Sequence, residues 1–185
     1  MIKKFELDLS SKITILGVEL FRIKALISFG NVKEGELGGY VEKEDNLSHY
    51  GNAWVYGNAR VYGNARVCGN AEVYGNAWVY GNAEVYGNAR VYGNAEVYGN
   101  ARVCGDAEVY GNAEVSELND YILFKNTWSS GRYFTYTKSN KMWKVGCFRG
   151  TGEELIEKAY EDSEVSGKHY EAYVNFVKTL EALDK

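Results

Sequence analysis

The chain has 185 residues, of which 45% are hydrophobic, 25% are charged and none is proline, and its formal net charge is −4. This composition excludes an intrinsically disordered chain and is sufficient for a sizeable core, in one large or two small domains. The sequence has no apolar run long enough to span a membrane and no signal-peptide pattern at its start, so we expect a soluble cytoplasmic protein.

Residues 1–36 are predicted to form an N-terminal β cap. Residues 12–30 contain two β-rich runs around Gly17 and Val18, followed by a loop. A degenerate coil is expected next, because the hexad register that begins at Gly51 can be followed backwards. In that register Val41 and Leu47 take the Ala position, and Leu37 takes the Val position.

Residues 51–116 are eleven consecutive hexads of the form Gly-Asn-Ala-x-Val-[Tyr/Cys/Ser], with Asp106 replacing one asparagine. So short and strict a period predicts stacked parallel β-structure. Ala and Val are two residues apart and therefore share one face, which we assign to the interior, while x points outward. The Gly-Asn pair supplies the corner, because both residues readily adopt positive φ.

This hexad resembles the repeat of left-handed β-helices, in which three hexads form one triangular coil of eighteen residues. The resemblance implies a mainly β fold with a left-handed parallel β-helix over residues 37–116. Side chains eighteen residues apart would then lie about 4.8 Å above one another. Two columns of x would place opposite charges in contact, which favours this register: Glu72, Arg90 and Glu108, and Arg66, Glu84 and Arg102.

Residues 117–185 are predicted to form a small α+β domain. The segments YILFKN, GRYFTYTK and KMWKVGCF read as a three-stranded antiparallel sheet. Thr151 and Glu154 have capping-box spacing, which predicts a helix over 152–162, and a second apolar stripe predicts a helix over 167–183. We expect both helices to pack on the sheet.

Residues 20–48, the hexad array and residues 146–155 (GCFRGTGEEL) together resemble a family of hexapeptide-repeat proteins common in bacteriophages and prophages. The resemblance covers nearly the full chain. It implies a location in the cytoplasm of a host bacterial cell and a host protein or protein complex as partner, with no catalytic residues to carry over.

The sequence offers few residues for catalysis or metal binding. Many left-handed β-helix proteins are acyltransferases with a catalytic histidine, and gamma-class carbonic anhydrases use three metal-binding histidines. Here the histidines are His49 and His169. His49, placed at an inward Val position, is interpreted as structural, with a catalytic base as the alternative. No CxxC pair is present, so we predict neither a metal site nor a cofactor.

The solenoid surface is rich in aromatic side chains, a composition typical of protein interfaces. The alternative is that the tyrosines only stabilise their own ladders. A homo-oligomer, either a dimer or a trimer, would use the same surface. The predicted binding residues are Trp54, Tyr56, Tyr62, Tyr74, Trp78, Tyr80, Tyr92 and Tyr98.

Residues 117–150 carry six basic side chains against two acidic ones, interleaved with aromatic residues. Such a sheet would hold a small anionic ligand such as a nucleotide. The competing interpretation is internal charge matching with the acidic helical segment. The candidate residues are Lys125, Trp128, Arg132, Tyr133, Tyr136, Lys141, Trp143 and Lys144.

The sequence therefore predicts a non-enzymatic protein that uses a rigid solenoid to bind and obstruct a host macromolecule, such as a host-defence component. Sequestration of a small anionic ligand is the second hypothesis, and a hexapeptide-repeat acyltransferase is the third. The near balance of charge in the array argues against duplex nucleic acid as the solenoid's partner, and no membrane contact is expected.

Overall fold

The fold is given by a computed structural model, which describes residues 3–183. An N-terminal β-hairpin leads into a parallel β-solenoid, and an antiparallel sheet and two helices follow it. Within the described residues, no helix has the length and apolar character needed to cross a membrane.

The two β-rich runs predicted around Gly17 and Val18 form a hairpin, and the chain then enters the solenoid. Strands β1 (Phe5–Ile15) and β2 (Val18–Ala25) pair antiparallel around a turn at Leu16 and Gly17, which both have positive φ. Strand β3 (Leu37–Val41) pairs antiparallel with β2 and parallel with the solenoid strand that contains Arg60. The hairpin is therefore continuous with one side of the solenoid.

The solenoid has three sides, each built from two-residue strands that stack in parallel. Face 1 contains β4 (Trp54–Val55), β7 (Glu72–Val73), β10 (Arg90–Val91) and β13 (Glu108–Val109). Face 2 contains β5 (Arg60–Val61), β8 (Trp78–Val79), β11 (Glu96–Val97) and β14 (Glu114–Val115), and β3, β2 and β1 extend its sheet. Face 3 contains β6 (Arg66–Val67), β9 (Glu84–Val85) and β12 (Arg102–Val103).

The register confirms three hexads per coil. Glu72 pairs with Arg90, and Arg90 with Glu108, each eighteen residues further on. Every Ala and Val of the eleven hexads is buried, with at most 1% of its surface exposed. The fold is thus mainly β, with a parallel solenoid of about four turns followed by an α+β region, as predicted. The left hand of the coil remains an implication of the resemblance.

The corner glycines hold neighbouring coils close together. Gly87 has a φ of +73°, and a Cβ added there would lie 2.9 Å from the backbone nitrogen of Gly105 in the next coil. Real Cβ atoms are rarely found so close to a backbone atom, so this corner requires glycine for its conformation and for its contact. Gly57, in the first regular coil, has a similar φ of +59°, but its nearest such contact is 4.0 Å away.

The degenerate coil is present, but its predicted register is wrong by two residues. Val41 pairs with Val61 and Leu47 with Val67, a spacing of twenty, so both take the Val position instead of the Ala position. Ala53 follows Leu47 by six positions, where the strict repeat has four, and the two extra residues form a wider corner. His49 lies in this corner and not at an inward Val position.

Polar side chains satisfy the backbone at the N-terminal edge of the solenoid. The ammonium of Lys4, a residue only 2% exposed, donates to the carbonyls of Gly51 (3.3 Å) and Ala53 (2.9 Å). Asn46 Nδ2 donates to the carbonyls of Gly63 (3.2 Å) and Ala65 (2.8 Å). Together with β3 these groups cover the first coil, where an open edge would invite aggregation.

At the C-terminal edge the last coil is capped by side-chain oxygens on all three faces. The Glu108 N–H donates to Thr135 Oγ1 at 3.0 Å, and the Glu114 N–H donates to Ser139 Oγ at 2.8 Å. On face 3, the hydroxyl of Tyr121 accepts from the Cys104 N–H and donates to the carbonyl of Arg102. The sheet after the solenoid thus closes it.

That sheet has four strands instead of the predicted three: β15 (Tyr121–Lys125), β16 (Tyr133–Thr137), β17 (Met142–Val145) and β18 (Phe148–Gly150). The segment KMWKVGCF folds into a hairpin because Gly146, with a φ of +56°, lets Val145 pair with Phe148 across a two-residue turn.

Helices α1 (Gly152–Asp162) and α2 (Glu164–Leu183) follow the sheet. The capping box of Thr151 and Glu154 is formed, as predicted. Helix α2 begins three residues before its predicted start. The apolar faces of both helices pack on Phe134, Tyr136 and Trp143 of the sheet in a second core.

We predict that Gly87→Ala lowers the melting temperature more than Gly57→Ala. Both substitutions place a side chain at positive φ, which costs about 1–2 kcal/mol, but only Gly87→Ala adds a clash with the next coil. Thermal unfolding followed by circular dichroism measures both variants against the wild type. Equal losses would contradict the close contact between coils.

Burial lowers the pKa of Lys4 to about 8, so the stability of the protein should depend on pH. Between about pH 8 and 10.5 the unfolded chain binds more protons than the folded one, so the free energy of unfolding should rise with pH. The unfolding free energy of the wild type minus that of Lys4→Met should therefore increase by about 2 kcal/mol from about pH 7.5 to 9.5.

The matched control for Lys4 is Lys12→Met. Lys12 is an exposed lysine that pairs with Glu19 on the hairpin surface. Denaturant unfolding at several pH values measures both variants, and the change with pH should be larger for Lys4→Met because only Lys4 is buried. An equal change for the two variants would contradict the buried position of the Lys4 ammonium.

Candidate functional site

Face 2 carries the accessible part of the predicted aromatic surface. Tyr62, Tyr80 and Tyr98 stack with centroids 5.2 Å apart, one ring per coil. Beside them the guanidinium of Arg60 lies 4.9 Å from the centre of the Trp78 ring. These side chains are only partly buried, so a partner can reach them.

The tyrosine column between faces 1 and 2 is covered at its lower end. Tyr74, Tyr92 and Tyr110 stack, and the guanidinium of Arg149 lies 5.0 Å from the Tyr92 ring and 5.5 Å from the Tyr110 ring. Only 5% of Tyr92 is exposed. Burial, and next the charge of Glu108, raises the pKa of Tyr92 well above its usual range. The prediction of Tyr92 as a binding residue is therefore wrong, while Tyr56 and Tyr74 remain half-buried.

Trp54 is also not a surface residue, although it occupies an outward x position. It has 0% exposure, because the rings of Phe5 and Phe29 pack edge-on against it with centroids 6.2 and 5.4 Å away. The N-terminal segment lies over this part of face 1. Trp54 therefore belongs to the core that joins the hairpin to the solenoid.

Four of the eight predicted anion-binding residues are packed inside the C-terminal region. Tyr136 and Trp143 are at most 3% exposed beneath the helices, and Trp128 packs against His169 and Tyr170 of α2. The fourth, Lys144, is 7% exposed; its ammonium donates to the Gly146 carbonyl and lies 3.4 Å from Glu108. The predicted basic aromatic platform is therefore not an open surface.

The other four members of that set are exposed but lie apart. The ammonium of Lys125 lies 5.5 Å from the centre of the Tyr133 ring, and Arg132 is next in sequence to that tyrosine. Lys141 instead lines a separate depression beside α1 and α2. Only Arg132 and Tyr133 reach the solenoid, where they border the largest groove described below.

This groove runs along face 1 and has a volume of about 860 Å³. The N-terminal loop at Gly30 and Asn31 borders it at one end, and the turns at Arg132–Tyr133 and Gly146–Cys147 border it at the other. We call it the face 1 groove. Its floor and sides are formed by Asn52, Tyr56, Asn70, Glu72, Asn88, Arg90, Asp106 and Glu108.

The face 1 groove is polar and carries both signs of charge. Arg90 pairs with Glu72 at 3.2 Å, and Asn88 Nδ2 donates to Asp106 at 3.0 Å. Glu108 accepts a hydrogen bond of 2.9 Å from the hydroxyl of Tyr92. These contacts fix the side chains before any partner arrives, which lowers the entropic cost of binding.

Both histidines make structural contacts. His49 Nδ1 accepts from the Lys4 N–H at 3.2 Å, and its ring stacks on Phe5 at 4.4 Å. His169 stacks on Trp128 at 4.4 Å, and its Nδ1 lies 2.7 Å from the Val165 carbonyl. Among residues 3–183, no group of three or more His, Cys, Asp or Glu side chains is placed to hold a metal ion.

A second depression of about 640 Å³ lies beside His49, at the N-terminal end of face 3. Its Glu44 is paired with Lys3 at 2.7 Å and approached by His49 at 3.5 Å. The Lys3 hydrogen bond is the largest of the favourable contacts that lower the pKa of Glu44. This depression is smaller than the face 1 groove, which is therefore the stronger candidate.

Sequence reasoning did not find the face 1 groove. The hexads contribute its floor, but its ends come from Gly30–Asn31 and from the Gly146 turn, which are distant in sequence and follow no period. The Gly146 turn was the one available signal, because a two-residue hairpin turn could have been read from the sequence VGCF.

We predict that Trp54→Ala is far more destabilising than Trp78→Ala. Removing a buried tryptophan costs about 3–5 kcal/mol, whereas Trp78 is partly exposed and loses mainly its contacts with Arg60 and Tyr62. Chemical denaturation of both variants measures the difference. A larger loss for Trp78→Ala would contradict the burial of Trp54 beneath the N-terminal segment.

Comparison with known proteins bears on the solenoid alone. Residues 53–69, 65–81 and 83–99 match the family model described as YdcK Beta solenoid repeat. No curated protein matches the chain. The matched stretches lie within the hexad array and are similar to the YdcK β-solenoid repeat. The structure shows that the whole array, residues 51–116, forms a β-solenoid.

Proposed function

We propose that the chain is a non-catalytic binding protein, which a phage or prophage uses to bind and obstruct a host macromolecule. The partner we propose is a host protein or protein complex, with a host-defence component as the specific candidate. The phage setting rests on the resemblance of residues 20–48, the array and residues 146–155. The face 1 groove supplies the proposed binding site.

The observation that carries this proposal is the shape of the groove. It spans the four strands of face 1, about 14 Å at about 4.8 Å per coil, and has a boundary at each end. An extended segment of four residues covers about 13 Å. The groove therefore fits a short exposed loop or strand of a folded protein.

The charges of the groove favour a protein over a nucleic acid. Glu72, Asp106 and Glu108 line it, together with Arg90 and Arg132. Three carboxylates would repel a phosphate backbone, whereas a peptide of mixed charge would find both donors and acceptors. A protein segment is thus the better match to this surface.

The non-catalytic part of the proposal is supported by the histidines. A general base needs a ring nitrogen directed at a substrate. His49 Nδ1 accepts from the backbone of Lys4, and its ring is stacked on Phe5. His169 is stacked on Trp128 in the C-terminal region. Both rings thus have a structural explanation.

The test uses a photo-crosslinking amino acid placed at Tyr133 or at Asn70, both of which line the groove. The control position is Arg102, an exposed residue of face 3. In lysate of a bacterial host, we expect one and the same host protein to crosslink at Tyr133 and Asn70 and not at Arg102. A protein crosslinked equally at all three positions would contradict the proposal.

A substitution tests the same site without a crosslinker. Arg132→Glu adds a fourth carboxylate to the groove. It should reduce at least about tenfold the amount of the same host protein that is recovered with an affinity-tagged copy of the chain. Arg66→Glu, on face 3, should leave recovery unchanged. Equal recovery with both variants would show that the partner does not use the face 1 groove.

A further inference from the structure

Face 2 differs from the other two faces in having its charges separated along the solenoid axis. Its outward column, in stacking order, is Arg22, Tyr40, Arg60, Trp78, Glu96 and Glu114. The two arginines lie toward the N-terminal end and the two glutamates at the C-terminal end. Faces 1 and 3 instead alternate in charge from coil to coil.

The basic half of this column is a stack of cations and aromatic rings. The guanidinium of Arg22 lies 5.0 Å from the Tyr40 ring centre, and that of Arg60 lies 4.9 Å from the Trp78 ring centre. The buried Arg60 Nε has no hydrogen-bond acceptor among residues 3–183. This half therefore holds positive charge in a fixed geometry with a donor unsatisfied.

The acidic half is unfavourable within a single chain. Glu96 pairs directly with Glu114 on the neighbouring strand, where like charges destabilise a sheet. The hydroxyls of Tyr80 and Tyr98 donate to these carboxylates at 3.0 and 3.4 Å. The tyrosines thus hold the two negative charges in place but do not neutralise them.

We propose that face 2 is an interface between two copies of this chain, which pack face to face with their solenoid axes antiparallel. A two-fold axis that passes through the level of Trp78 places Trp78 against the partner copy's equivalent tryptophan. It also places Arg60 of each copy opposite Glu96 of the other. Tyr40 faces Glu114 in the same arrangement.

The tyrosine column beside face 2 is compatible with the same two-fold axis. Tyr62, Tyr80 and Tyr98 have the same spacing above and below the Trp78 level, so Tyr62 of one copy faces Tyr98 of the other. A parallel arrangement would place Arg60 against Arg60 and Glu96 against Glu96, which is repulsive. Charge therefore selects the antiparallel dimer, with an aromatic centre and charged flanks.

This interface lies on a different side of the solenoid from the face 1 groove. Glu72 and Arg90, which line the groove, belong to face 1, whereas Trp78 and Glu96 belong to face 2. The dimer would present both grooves on the same side, running antiparallel to each other. The inference goes beyond the proposed function and does not depend on it.

Charge reversal tests the dimer by sedimentation velocity over about 1–200 μM protein. Arg60→Glu alone and Glu96→Arg alone should each raise the dimer Kd at least about tenfold, because each places like charges across the axis. The double variant Arg60→Glu/Glu96→Arg should restore the dimer. An equimolar mixture of the two single variants should also restore it, as a heterodimer.

The control is Arg102→Glu on face 3, which should leave the Kd unchanged. The double variant and the equimolar mixture distinguish loss of the interface from loss of folding, since a misfolded single variant would not form a dimer on mixing. A wild type that is monomeric at 200 μM, a dimer that survives both single variants, or a mixture that stays monomeric would each overturn the proposal.

Discussion

The whole structure depends on one geometric constraint, which is that each coil must return to its starting position one strand spacing further along the axis. Eighteen residues satisfy this only if the interior is filled by side chains of constant size and the corners turn identically. Alanine and valine fill the interior in every hexad, and a glycine with positive φ opens each corner. Strands of successive coils then pair in parallel, and the side chains at the x positions form the variable surface.

The same constraint creates a problem at the two ends, because a stack of coils terminates in unpaired backbone groups. The chain solves it with two different devices. At the N-terminal end β3 adds a strand, and Lys4 and Asn46 reach carbonyls that no strand covers. At the C-terminal end, hydroxyls of Thr135, Ser139 and Tyr121 each occupy the place of a backbone acceptor. Both flanking regions are therefore part of the folding unit, because the edges would otherwise be open.

Periodicity made the solenoid predictable, and its errors arise where periodicity ends. The register of residues 51–116 was correct because each hexad repeats the same local choice, so local pattern and global fold agree. Trp54 obeys the pattern in its backbone, yet its ring is buried by Phe5 and Phe29, which lie outside the repeat. The face 1 groove was missed for the same reason, since its ends are loops from the two flanking regions. The two extra residues at His49 were invisible because the pattern holds no information about an insertion before it begins.

The buried Ala and Val positions are the same in every hexad, so the three faces differ mainly in the side chains at the x positions. Face 3 alternates in charge, and Arg102 and Glu84 form an ion pair (3.4 Å) that neutralises these two charges within the chain. Face 1 is partly covered at both ends, which turns a flat sheet into a groove. Among the three faces, only face 2 has a cation stack and a pair of adjacent carboxylates for which residues 3–183 provide no ion-pair partner. A sheet that stabilises itself would not place Glu96 beside Glu114, so the column on face 2 is better explained by a surface outside the chain than by the stability of the coil.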